Sequence, residues 1–89
     1  MSGLCDKLRV DKWLWHARFF KTRSLASQTV RAGHLRINGQ KVSKPAAVVK
    51  VSDVLTFTQG RDVRVVKLLA FSSRRGPACE AQTLYQDLT

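Results

Sequence analysis

The sequence predicts an α+β fold: two N-terminal helices packed on a small, mostly antiparallel sheet, with a further helix at the C-terminus. Three observations carry that expectation. Apolar residues recur at helical spacing from Val10 and again after Pro77. Between them, from Leu35 to Leu69, short β-branched stretches alternate with turn residues. Asn38-Gly39, the strongest short hairpin signal a sequence offers, folds one of those stretches back. A chain of 89 residues buries about 60 to 65 per cent of its unfolded surface, so the core is modest and a large catalytic cleft is not expected.

Met1 to Lys7 is short and polar, a loose terminus. Val10, Trp13, Leu14, Ala17 and Phe20 then define one helical face, which belongs in the core. At 100 degrees per residue Lys12, Trp15, His16 and Phe19 fall on the far side, with Arg9 and Arg18 flanking, and Asp11 suits the positive end of the helix dipole. The outward Trp15 and Phe19 are candidates to stack on unpaired bases; the need of a small domain to bury aromatics favours cover by the C-terminal segment instead. His16 reads as a helix-surface or interface histidine rather than a general base.

Lys21-Thr22-Arg23-Ser24 breaks the pattern, and Thr22 or Ser24 can cap a second helix that runs to Ala32 and stops at a left-handed Gly33. Its inner side is Leu25, Ala26, Thr29 and Val30; Ser24, Ser27, Gln28 and Arg31 face outward. Leu35 to Asn38 and Gln40 to Ser43 form the hairpin, from which Lys41 and Lys44 project, and Pro45 ends regular pairing. Val48 to Val51 is extended, Ser52-Asp53 turns, and Val54 to Thr58 pairs with a last strand from Val63 to Leu69 across a turn at residues 59 to 62. After a basic connection containing Arg74 and Arg75, Pro77 opens a third helix with Ala78, Ala81, Leu84, Tyr85 and Leu88 on its apolar face.

Sixteen Lys and Arg against six Asp and Glu give a formal charge of +10, and a folded domain so basic has a polyanion as its expected partner. The charge is uneven: Lys7 to Lys50 holds eleven cations against Asp11 alone. The N-terminal end of the second helix, with Lys21, Arg23 and helix-terminal amides, is a natural phosphate seat. Two widely spaced cysteines without metal-ligand spacing favour a reducing compartment, with the cytoplasm as default. No apolar run suggests a membrane span. Two His, two Cys and six acids show no triad, carboxylate pair or phosphate loop, so neither catalysis nor a cofactor or metal is expected.

The stretch RVDKWLWHARFFKTRSLASQTVRAGHLRINGQKVSKP resembles the RNA-binding domain named after small-subunit ribosomal protein S-four, the helix-and-hairpin unit called the alpha-L motif. More narrowly, DKWLW-x-ARFFKTRSLA and RGPACEAQTLYQDL resemble the heat-shock protein fifteen family, and the likeness covers residues 9 to 88. It implies an RNA-binding domain over residues 9 to 70 and a helical extension over 71 to 89 packed on it. It further implies RNA-facing roles for Arg9, Lys12, Arg18, Lys21, Arg23, Ser24, Gln28, Arg31, Lys41 and Lys44. The implied partner is ribosomal RNA, in particular free large ribosomal subunits carrying a nascent chain, with peptidyl-tRNA as a further contact. Two departures stand out: Ser52 occupies a position where many members of the wider superfamily have Gly, and relatives often continue beyond Thr89 into a charged tail.

The expected mechanism is phosphate neutralisation by Lys and Arg, with Ser24, Gln28 and helix-terminal amides fixing register. RNA shape rather than base sequence should be recognised, since the A-form major groove is too narrow to read. Arg23 and Arg31 should matter most, and even Arg→Lys should weaken binding. Charge at this density also argues for a monomer at low salt. A chaperone-like docking module built on Trp15, Phe19 and the last helix, and a non-specific binder of nucleic acid including DNA, stay open as alternatives.

Overall fold

The computed structural model describes residues 7 to 71 and 76 to 88. The chain forms β1 (Lys7–Arg9), α1 (Val10–His16), α2 (Arg23–Arg31), β2 (Leu35–Ile37), β3 (Gln40–Val42), β4 (Val48–Lys50), β5 (Val54–Gln59), β6 (Asp62–Leu68), α3 (Ala78–Ala81), a 3-10 turn (Gln82–Leu84) and β7 (Tyr85–Asp87). Five strands make an antiparallel sheet in the order β3-β2-β5-β6-β7, and β1 pairs separately with β4. One face of the main sheet carries Leu35, Leu55, Phe57, Val66 and Leu68 into a core shared with Trp13, Leu14, Ala26 and Val30 of the helices. Trp13 anchors that core by donating its indole N–H to the Ala70 carbonyl at 3.1 Å.

The expected α+β architecture is present, with differences in extent that have identifiable causes. Helix α1 stops at His16, short of Phe20. Arg18 takes a left-handed conformation (φ 64), the Arg18 N–H donates to Trp15 O at 3.0 Å and the Phe19 N–H to Leu14 O at 3.1 Å. These are the two bonds of a Schellman cap. The reversal swings Phe19 off the far side of the helix and back into the core, 6.0 Å from the Trp13 ring and 4.6 Å from that of Tyr85. Phe19 is thus 5% exposed, covered in part by the C-terminal segment, and His16 is buried rather than on the surface. Trp15 is half-buried.

Helix α2 follows its expected course. Thr22 Oγ1 accepts the Leu25 N–H at 3.1 Å, and Gly33 (φ 82) closes the helix by the same two-bond cap. Ala26 and Val30 are buried, but Leu25 is 43% exposed, so the inner side is narrower than the periodicity suggested. The hairpin turns at Asn38 (φ 53) and Gly39 (φ 84); β5 and β6 pair from Val54↔Lys67 to Gln59↔Asp62. Strand β1 was not foreseen; the rest of the loose terminus, residues 1 to 6, lies outside the described residues, as do Arg74 and Arg75.

The C-terminal helix begins at Ala78, after Pro77, but lasts four residues. The chain then extends and β7 pairs with β6 from Val66↔Asp87 to Leu68↔Tyr85. The competing demand is backbone pairing: without β7 the edge of β6 would present unpaired N–H and C=O groups. Leu69 and Ala70 donate to Leu84 O, and Leu88 donates to Val65 O, which carries the pairing past both ends of the strand.

Candidate nucleic-acid interface

Buried Asp11, in the first turn of α1, is 2% exposed and organises the cations around it. Its Oδ1 accepts from Arg9 Nε at 3.2 Å and from the Lys12 N–H at 2.7 Å; its Oδ2 accepts from Arg9 Nη2 at 3.1 Å and faces Arg23 Nε at 3.5 Å. Arg9 is held by both carboxylate oxygens, a fork geometry that fixes the guanidinium plane. Arg23 belongs to the first residue of α2, so one acid ties the starts of the two helices together. Both arginines stay open to solvent, at 48% and 41% of their side-chain surface. Each guanidinium has further N–H donors beyond those contacts, and two positive charges against one negative leave the corner cationic.

The surrounding residues reach this corner through backbone geometry. The Val10 and Asp11 N–H groups donate to the Ala47 and Pro45 carbonyls at 2.7 and 3.4 Å, and the Ala47 N–H donates to Lys44 O at 2.9 Å. The segment carrying Lys44 is thereby laid across the start of α1. On α2, Ser24, Gln28 and Arg31 are all exposed, and at i, i+4 and i+7 they form one stripe about 10 Å long. Lys21, in the loop before the helix, is exposed as well.

At the other end of α2 a Cβ added to Gly33 would stand 2.7 Å from Lys41 Cε, so the Lys41 side chain runs over the helix terminus. Arg31 closes the stripe at the end of α2 that Lys41 crosses, and Arg23 stands at the opposite end of the helix. Lys12 is half-buried next to Asp11.

Arg18 stands apart from this set. Its Nε donates to the Gly76 carbonyl at 2.6 Å, and it lines a pocket with Gln59, Arg64, Ala81 and Tyr85 on the C-terminal side of the domain. Nine of the ten expected cationic and polar residues thus belong to the start of α1, the loop before α2, α2 itself and the hairpin with the segment after it, and the tenth, Arg18, is tied to the C-terminal segment.

Asp11 itself was not singled out as a site residue by sequence reasoning. The available signal was its isolation as the sole acid among eleven cations, which marks a residue whose charge is used locally.

Among the described residues no group of three or more His, Cys, Asp or Glu could hold a metal ion, and no helix is long and apolar enough to cross a membrane.

Comparison with known proteins gives a consistent likeness. The model of the S4 domain matches residues 8–55. Heat shock protein 15 of Escherichia coli strain K12 is 46% identical over 81 residues, covering 91% of this chain and 60% of that protein. The small ribosomal subunit protein uS4 of Xanthobacter autotrophicus is 42% identical over 55 residues, 62% of this chain and 26% of that protein. A structure described as trimeric heat shock protein 15 of Vibrio cholerae aligns with a TM-score of 0.85 at 43% identity, covering 91% of this chain and 81% of that one. The chain thus spans about 60% of the length of the curated heat shock relatives it matches.

Proposed function

Because the chain belongs to the S4 domain family, we propose that it is a non-catalytic RNA-binding protein, directed to structured ribosomal RNA on free large ribosomal subunits that carry a stalled nascent chain. The observation that carries this reading is the Asp11 corner: a buried carboxylate holding two half-exposed arginines at the joint mouth of two helices. Such a device sacrifices one unit of attraction to fix the guanidinium fork of Arg9 and to hold Arg23 beside it, an arrangement suited to phosphates at set spacing. The stripe Ser24, Gln28, Arg31 and the flanking Lys21, Lys41 and Lys44 extend the same surface, where Lys and Arg release counterions and the polar side chains fix register. The likeness to heat shock protein 15 and to ribosomal protein uS4 supports the ribosomal target and a heat-shock or recycling role. Peptidyl-tRNA on the same subunit is a secondary contact in this proposal.

The test is binding of the protein to isolated large ribosomal subunits across a salt series, beside duplex DNA as a competitor of matched charge. Strong preference for subunits is expected, with a log-log salt slope of several units, as for about 6 to 10 phosphate contacts. Equal affinity for both polyanions would contradict the proposal.

We take the protein to act as a monomer, since a charge of +10 opposes self-association at low salt; the related Vibrio cholerae protein is described as trimeric. Sedimentation over a range of concentration, with and without RNA, distinguishes the two states.

A further inference from the structure

The face of the five-stranded sheet turned away from the helices has a composition of its own. The pairings Arg36↔Lys41, Arg36↔Thr56 and Thr56↔Val65 set Lys41, Arg36, Thr56 and Val65 in one row across four strands. The alternation of side chains places Thr58, Val63 and Lys67 on this face too. The acids of the strands, Asp62 and Asp87, have the opposite parity: they pair with Gln59 and Val66, and Asp87 meets Arg64 at 3.1 Å.

Arg36 and Lys41 are directly opposed, an arrangement that costs stability, and among the described residues neither has an ion-pair partner. Gly33, His34, Arg36, Thr56, Thr58 and Val63 line an open groove of about 290 Å³ on this side. His34 and Arg36 are exposed, and Val63 is 57% exposed.

We propose that this groove is a second RNA contact, the seat of one unpaired nucleotide adjoining the structured RNA held by the helices. The proposal rests on the RNA-binding reading above and adds a ligand class to it. The volume lies at the small end for ligand sites, suited to a single base and not to a duplex. Imidazole and guanidinium planes are surfaces on which splayed bases stack, Val63 offers apolar contact, and the Thr56 and Thr58 hydroxyls can donate to or accept from base edges. The opposed Arg36 and Lys41 supply the phosphate contact, and a bound phosphate relieves their repulsion. Lys41, whose chain also crosses the end of α2, joins the groove to the helix stripe.

The experiment compares an RNA hairpin with and without a short single-stranded 3′ tail, binding to wild type, Arg36→Ala, Arg36→Lys and Arg23→Ala. Wild type should hold the tailed hairpin five- to tenfold more tightly. Arg36→Ala should abolish that advantage while leaving the untailed hairpin unchanged, Arg36→Lys should keep part of it, and Arg23→Ala should weaken both RNAs. If Arg36→Ala leaves the tail advantage intact, or lowers both RNAs in equal ratio, the groove is not a nucleotide seat, although the helix surface remains an RNA site. Failure of wild type to bind either hairpin would remove the underlying reading and this proposal with it.

Discussion

Asp11 and Asp53 are both buried carboxylates beside cations, and they use those cations in opposite directions. Asp11 accepts two hydrogen bonds from Arg9 and pairs with Arg23 at 3.5 Å, and both arginines are half-exposed, so its effect is felt outside the protein. Asp53 accepts from the Lys50 N–H at 3.0 Å, Asn38 Nδ2 at 3.1 Å and Lys50 Nζ at 3.3 Å, so its effect is felt by the backbone. Asn38 closes that circle: its Oδ1 accepts the Val54 N–H at 2.9 Å. Two backbone positions with positive φ, Asn38 and Ser52, lie within this knot. The contrast shows that the partner, not burial, decides whether an acid in a basic domain serves the surface or the fold.

The largest effect expected from breaking the contrast is on stability. Asp53→Ala should cost about 2 kcal/mol, because it removes the buried acceptor shared by the Lys50 N–H, the Asn38 amide and the Lys50 ammonium, measured by urea denaturation, with RNA affinity of the folded protein unchanged. Burial raises the Asp53 pKa, but the hydrogen bonds from Lys50 and Asn38 and the Lys50 charge outweigh it and leave the group below its ordinary value. A carboxyl whose pKa is lower folded than unfolded stabilises above the unfolded value and loses that contribution as pH falls through the folded one. Wild type should therefore lose stability below about pH 4, and Asp53→Ala should lose less over the same range.

Next in size is Arg23→Ala, which should weaken RNA binding about tenfold, roughly 1.4 kcal/mol, and lower the salt slope by about one unit. Its effect on stability should stay under about 1 kcal/mol, since the ion pair is half-exposed. Arg23→Lys should recover only part of the affinity, because an ammonium cannot reproduce the fork. The smallest effect sharpens the Asp53 side: Ser52 sits at φ 79, where a Cβ is penalised, so Ser52→Gly should raise stability by up to about 1 kcal/mol in thermal unfolding.

How much of this was legible depended on whether the signal was local. The Asn38-Gly39 turn, the helix cap and the Gly33 stop are each written in residues that act on their own backbone; the turn and the stop stand as expected, and of the two caps on offer, Thr22 and Ser24, Thr22 is the one used. The end of α1 uses the same cap as the end of α2 but places Arg18 where α2 has Gly33, so no glycine announced it. Helical projection therefore sets Phe19 on the far side of α1, whereas the cap turns it into the core, where the C-terminal segment covers it as expected. The apolar spacing of Ala78 to Leu88 suits a helix, and only the free edge of β6, a partner far away in sequence, turns its second half into β7. The cationic set was legible by composition, whereas its arrangement was not: Asp11 meets Arg23 across twelve positions, and Arg18 meets Gly76 across fifty-eight.

The measurement that bears most directly on the account is the affinity of Asp11→Asn for large ribosomal subunits. This substitution raises the formal charge from +10 to +11, one acid fewer among the charges counted, while keeping the shape of the side chain. If Asp11 aims Arg9 and Arg23, binding should weaken about three- to tenfold, roughly 0.7 to 1.4 kcal/mol, and preference over duplex DNA should shrink, with the circular dichroism spectrum retained. If the folded variant binds subunits as tightly as wild type or more so, positive charge alone governs the interaction and the positioning role of Asp11 is wrong.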